Sequence, residues 1–214
     1  MKIHPQHIIK TPQLCNPSNN TTSLSPLISP NLSSSKEIFT LWMKSLILGG
    51  NGCTVFDSKG KVVYRVDNYC SKCCNKVLLM DSHGNVLLTI LRKKFRLFSS
   101  WEGFRDEKIK GESWLFQVRK CWKITKKPLG CKVVVNLHHD KKSPAFKIEK
   151  AKNELSSCRI VDRLGGPLAE IKRKHSEGGV KLGDDVLTLA VEANVDHSLI
   201  MGLMVAFSLI HSRI

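Results

Sequence analysis

Between Arg92 and Lys127 twelve Lys or Arg side chains stand against four Asp or Glu, a local balance of +8 in a chain whose 34 basic and 18 acidic residues give +16 overall. Arg92, Lys93, Lys94 and Arg96 occupy one β-rich run, and Arg119, Lys120, Lys123, Lys126 and Lys127 lie on and after another. These nine are the candidate ligand-binding residues, because clustered ammonium and guanidinium groups make charge-assisted bonds to phosphate, about 1 kcal/mol each near an anionic surface. Successive side chains on a strand point to opposite faces, so which of these cations share a face stays open at this level, and a solvated basic face is the alternative. The partners this chemistry suits are phosphoinositide or another anionic membrane lipid and, second, nucleic acid. Trp101, Trp114 and Trp122 would be stacking platforms for bases, although tryptophan is more often a core residue.

Other reactive residues carry less. Cys70, Cys73 and Cys74 contain a C-x-x-C spacing that can seat two zinc ligands, but Cys121, Cys131, His138 and His139 supply no second pair at a recognised spacing. His138-His139-Asp140 has no assignable nucleophile partner. Gly49-Gly-Asn-Gly52 lacks the lysine and helix of a phosphate-cradling loop and reads as a turn between strands. Nucleophile elbow, zinc-protease helix, Walker loop and dinucleotide fingerprint are all missing, so the expectation is a protein that is not an enzyme and has no metal and no cofactor. The chain opens without the pattern of a secretory signal, and the eight cysteines read as reduced thiols of a protein inside the cell, in the cytoplasm, at the plasma membrane or in the nucleus. A monomer is expected.

The elements that must position the cations are marked by an internal repeat. Cys53-Thr-Val-Phe-Asp57-Ser-Lys-Gly60-Lys-Val-Val-Tyr64, Val77-Leu-Leu-Met-Asp81-Ser-His-Gly84-Asn-Val-Leu-Leu88 and Cys158-Arg-Ile-Val-Asp162-Arg-Leu-Gly165-Gly-Pro-Leu-Ala169 share an apolar run, Asp-x-x-Gly and a second apolar run. Asp at the first position accepts backbone N–H bonds within the turn and Gly at the fourth adopts positive φ, which closes a short hairpin with a bulge. Leu87 to Phe98, Ser113 to Arg119, Lys132 to Leu137 and Asp185 to Val191 are further strand-like runs. Asp196 is a helix N-cap candidate, and the residues from His197 onward are apolar on every side. The apolar stretch Leu199 to Ile210, at ~1.5 Å per residue, is too short to cross a ~30 Å hydrocarbon core, so no transmembrane span is expected and the helix must be enclosed by protein. A sheet wrapped around it needs more strands than the ~8 whose interior side chains alone can fill, and Gly202 would let the wall approach.

These residues predict a mainly β fold, a closed antiparallel barrel around a central hydrophobic C-terminal helix, over residues 36–214. Residues 1–35 read as a disordered tail: 18 of the 25 positions from Thr11 to Ser35 are Ser, Thr, Asn or Pro. A transit peptide is the competing reading of that segment, opposed by its lack of arginine.

Leu41-Trp-Met-Lys-Ser45, Asn51-Gly-Cys-Thr-Val-Phe-Asp57, Tyr64-Arg-Val-Asp-Asn-Tyr69, Leu79-Met-Asp-Ser-His-Gly84, Leu91-Arg-Lys-Lys94 and Trp101-Glu102 together resemble the plant LURP-one-related proteins. Their domain is similar to the C-terminal domain of Tubby-like proteins and to phospholipid scramblases. The resemblance covers about residues 36–214 and implies a barrel of about twelve strands around the helix. It also implies a membrane-tethered regulator that binds phosphoinositides, connected with plant defence, or a scramblase-like lipid-handling protein. Cys70, Cys73 and Cys74 are not part of the matching motifs.

Overall fold

The computed structural model describes residues 32–43, 52–67, 75–95, 98–105, 114–120, 131–135, 146–150, 157–183 and 185–211. Its strands are β1 (Glu37–Trp42), β2 (Cys53–Phe56), β3 (Val62–Asp67), β4 (Lys76–Asp81), β5 (Val86–Phe95) and β6 (Phe98–Phe104). They continue as β7 (Phe116–Lys120), β8 (Cys131–Val135), β9 (Phe146–Lys150), β10 (Cys158–Asp162), β11 (Pro167–Arg173) and β12 (Val186–Val191), followed by helix α1 (His197–His211). Each strand pairs antiparallel with its neighbours in sequence, and β1 pairs with β12 from Glu37↔Val191 to Trp42↔Val186, so the sheet closes on itself. The expected run from Leu87 to Phe98 is two strands, since β5 ends at Phe95 and β6 begins at Phe98. Closure gives each of the twelve described strands a partner on both sides.

The three Asp-x-x-Gly repeats are three copies of one hairpin. In each, the Asp Oδ1 accepts two backbone N–H groups: from Lys59 and Lys61 at Asp57, from His83 and Asn85 at Asp81, from Leu164 and Gly166 at Asp162, all at 2.7–2.9 Å. The glycine four positions into each turn has positive φ, at 77, 90 and 88° for Gly60, Gly84 and Gly165. A register shift follows in each pair, at Val55/Phe56, Leu79/Met80 and Ile160/Val161. Asn85 Nδ2 also donates to Asp81 Oδ2 at 2.8 Å, the main reason that the Asp81 carboxyl is held below its ordinary pKa. A fourth turn of this geometry joins β11 to β12 with Ser176 in the Asp role: Val180 N–H donates to Ser176 Oγ at 3.2 Å and Gly179 has φ 76°. Because strands alternate direction, the three Asp turns share one rim of the barrel, and the Ser176 turn lies on the opposite, far rim.

Helix α1 enters from the Asp rim and runs through the barrel. Asp196 caps it, its Oδ1 accepting N–H bonds from Ser198 at 2.9 Å and Leu199 at 3.2 Å, while Arg105 reaches its Oδ2 at 3.1 Å. Ile200, Met201, Leu203 and Ala206 are fully buried against wall residues such as Leu88, Phe116, Ile148 and Leu189. The Phe116 ring fills the gap between helix and wall: a Cβ at Gly202 would lie 2.9 Å from it and 2.7 Å from Leu88, and one at Gly103 only 2.2 Å. Gly202 therefore permits the close approach that its place in the sequence suggests. No described helix is long and apolar enough to cross a membrane.

The N-terminal residues 1–31 lie outside the described residues. Leu32 to Ser35, counted with the tail in the sequence reading, precede β1, and the Ser33 carbonyl accepts a bond from Asn194 N–H at 2.8 Å.

Candidate functional site: a basic sector on the outer wall

Inward-facing side chains fix the parity of every strand. Leu88 and Ile90 point inward on β5, which places Leu91 and Lys93 on the outer wall and puts Arg92 on the inward parity, opposite Trp101. Arg92 is nonetheless exposed. On β7, Phe116 and Val118 point inward, so Gln117 and Arg119 point outward. Of the nine cations expected at the site, Lys93 and Arg119 thus share the outer wall and Arg92 sits on the other face. Lys94 and Lys120 belong to β5 and β7, with side chains outside the description. Arg96, Lys123, Lys126 and Lys127 lie outside the described residues.

The register adds two cations from beyond the Arg92–Lys127 window. Lys93 stands opposite Ser100, Ser100 opposite Arg119, Arg119 opposite Lys132 and Lys132 opposite Lys147, a row that crosses β5 to β9 on the outer wall. All four cations are exposed. Lys147 pairs with Glu149 and Lys93 lies 4.0 Å from Glu102, while Arg119 and Lys132 have no carboxylate partner among the described residues. The adjacent row is Leu91, Glu102, Gln117 and Val134, in which buried Gln117 donates to buried Glu102 at 2.6 Å. Lys132 and Lys147 were readable as outward residues from the alternations Lys132-Val133 and Lys147-Ile148. Their alignment with Arg119 depends on the register of three strands separated by long connections.

The remaining candidates are ordinary structure or lie outside the described residues. Trp101 is buried in the barrel interior and Trp114 is half-buried, so neither offers an open stacking platform, and Trp122 is outside the description. Cys53, Cys131 and Cys158 are buried and not joined in disulfides. Burial pushes the Cys53 and Cys158 pKa values up to about 12, which leaves them neutral and poorly nucleophilic. Cys70, Cys73, Cys74, Cys121, His138, His139 and Asp140 lie outside the described residues, as does most of the Gly49–Gly52 turn. Among the described residues no group of three His, Cys, Asp or Glu is placed to hold a metal.

Among the described residues His197 is the one buried titratable group with an orphaned side-chain atom. Its ring meets Phe39 edge-on at 5.2 Å, and Nε2 has no hydrogen-bond partner among the described residues. Burial lowers its pKa, against the opposing pull of Glu37 and Asp196.

The LURP-one-related family model matches residues 37–208. The Arabidopsis thaliana protein LURP-one-related 11 is 47% identical over 188 residues, covering 86% of this chain and 81% of that protein. LURP-one-related 3 of the same organism is 44% identical over 189 residues, covering 85% and 83%. A crystal structure of an Arabidopsis thaliana protein, 17% identical, superposes with a TM-score of 0.62 over 86% of this chain and 96% of that one, a likeness of fold. With the family model spanning the barrel from β1 into α1, and relatives at this identity over most of their length, the chain belongs to the LURP-one-related family.

Proposed function

We propose that this protein is a non-enzymatic binding and regulatory module that associates with anionic, phosphoinositide-containing membrane through the outer wall of β5–β9. It would act inside the cell at the plasma membrane, or move between there and the nucleus, as a membrane-tethered regulator connected with plant defence. The observation that carries the reading is the row of exposed Lys93, Arg119, Lys132 and Lys147 on one sector of the wall. A planar anionic surface meets such a sector with several cations at once, each adding about 1 kcal/mol within a Debye length.

Two other readings find less support in the geometry. Base stacking loses its best platform with Trp101 inside the barrel. Scramblase-like lipid passage needs an accessible apolar path, whereas α1 is buried from His197 to Met204 and at Ala206 and Phe207, and among the described residues is partly exposed only at Val205, Ser208, Leu209 and Ile210. Sedimentation of the full chain with phosphatidylcholine vesicles, with and without phosphatidylinositol bisphosphate, tests the proposal. Preferential pelleting with the phosphoinositide, weakening as salt rises, is expected; equal pelleting with both at physiological salt would sink it.

A further inference from the structure

The row Arg119, Lys132 and Lys147 breaks a rule that the rest of the wall obeys. Directly opposed residues of an antiparallel pair hold their Cβ atoms about 4.5–5.5 Å apart, and like charges in those positions destabilise the pairing. Here three cations on three adjacent strands are directly opposed, and Arg119 and Lys132 have no carboxylate partner among the described residues. One strand further on, the pairing rule holds: Glu149 opposes Arg159, which opposes Glu170, with Arg159 Nε 3.6 Å and Lys172 Nζ 2.9 Å from the Glu170 carboxylate. Conflicts between a local stability rule and the sequence concentrate at functional sites.

From this juxtaposition we infer that Arg119, Lys132 and Lys147, with Lys93 across the Ser100 hydroxyl, form a binding row for an anion carrying two or more closely spaced phosphomonoester groups. The inference rests on the membrane reading for its choice of face, and goes further by requiring two or more phosphomonoester groups on one ligand, whether that ligand is held in a membrane or free in solution. Strands lie about 4.7–4.9 Å apart, so the cations step across the wall on the few-ångström scale at which phosphates repeat on a polyol ring. A single phosphate would meet one or two exposed, well-hydrated cations and gain little. A multiply phosphorylated group spans the row, and its charge offsets the repulsion among the directly opposed cations. The same chemistry is presented by a lipid head group and by a soluble phosphorylated polyol.

The test uses the full chain, inositol trisphosphate in calorimetric titration, and vesicles of phosphatidylcholine with phosphatidylinositol bisphosphate. Arg119→Gln with Lys132→Gln removes two charges from the row; Arg159→Gln with Lys172→Gln removes two from the balanced sector and is the control. The row variant is expected to bind inositol trisphosphate about tenfold more weakly or worse and the control to change less than about threefold. The row variant should also melt no lower than the wild type. If the double variant fails to fold, Lys132→Thr alone takes its place. Equal losses in both variants, or an undiminished row variant, would overturn the inference. So would duplex DNA displacing the trisphosphate at equal phosphate concentration. Wild type that binds the trisphosphate but no vesicle keeps the row and removes the membrane reading. Vesicle binding that the row variant leaves untouched does the reverse.

Discussion

Two rows of charge cross the same barrel wall side by side. One reads Arg119, Lys132, Lys147 on β7–β9, and the other reads Glu149, Arg159, Glu170 on β9–β11. They meet on β9, where Lys147 and Glu149 are two residues apart on the same face and paired with each other. Both rows hang on an interior packed in the same way, with Val133, Ile148, Ile160 and Ile171 all buried. The difference is therefore not one of fold. In the second row the charges alternate and stabilise pairing; in the first they repeat and oppose it. A sheet that can alternate charge at one place and leaves it repeated at the next is under a different demand there.

The largest change expected would erase the contrast altogether. Gly103→Val drives a side chain into the Phe116 ring and should lower stability by about 3 kcal/mol by overpacking. Because one core supports both rows, amide exchange should rise in β8 and β10 together; protection retained in β10 alone would mean the two rows belong to separately stable units.

Reversing one charge in each row sharpens the contrast. Arg159→Glu leaves three acidic side chains in line and should destabilise by about 1 kcal/mol in a denaturant titration, with little effect on anion binding. Lys132→Glu creates alternation where there was repetition. It should leave stability unchanged or raise it by about 0.5 kcal/mol, while vesicle binding falls more than about tenfold. If both reversals destabilised alike, the two rows would differ in composition and in nothing else.

The smallest effect lies in pH. The folded His197 has its pKa lowered by burial, so above the ordinary His value near 6.5 it is neutral in both states and contributes no pH dependence. As the pH falls below that value the unfolded chain takes up the proton first, and stability declines until the folded pKa is passed. His197→Gln should flatten that decline. The turn carboxylate Asp81, with its pKa lowered chiefly by Asn85, gives a separate loss only below about pH 3.8.

What could be read from the sequence divides along the same line as the two rows. The Asp-x-x-Gly hairpins, the Asp196 cap, the enclosed helix and the role of Gly202 depend on residues near one another in the chain or on length and apolarity, and all were legible. The break between β5 and β6 was not, because Arg96 and Leu97 continue the β-rich composition across it. The Ser176 turn escaped because a hydroxyl replaces the expected carboxylate. The candidate site was half legible: Lys93 and Arg119 fell in the basic window, but Arg92 faces the other way, and Lys132 and Lys147 enter only through strand register. Periodicity tells a residue's face and not its neighbour on the next strand.

The closing pair β1·β12 has a consequence for how the protein is made. Every other strand pair joins neighbours along the chain and can form as a meander while synthesis proceeds. The seam between Glu37–Trp42 and Val186–Val191, and the helix that fills the interior, become available only after the whole sheet has been translated. At ~5–20 residues per second a nascent chain spends on the order of ten seconds as an open, unplugged ribbon with two bare edges. The window in which this protein is exposed to misassembly, and in which holding chaperones would find it, is set by that seam.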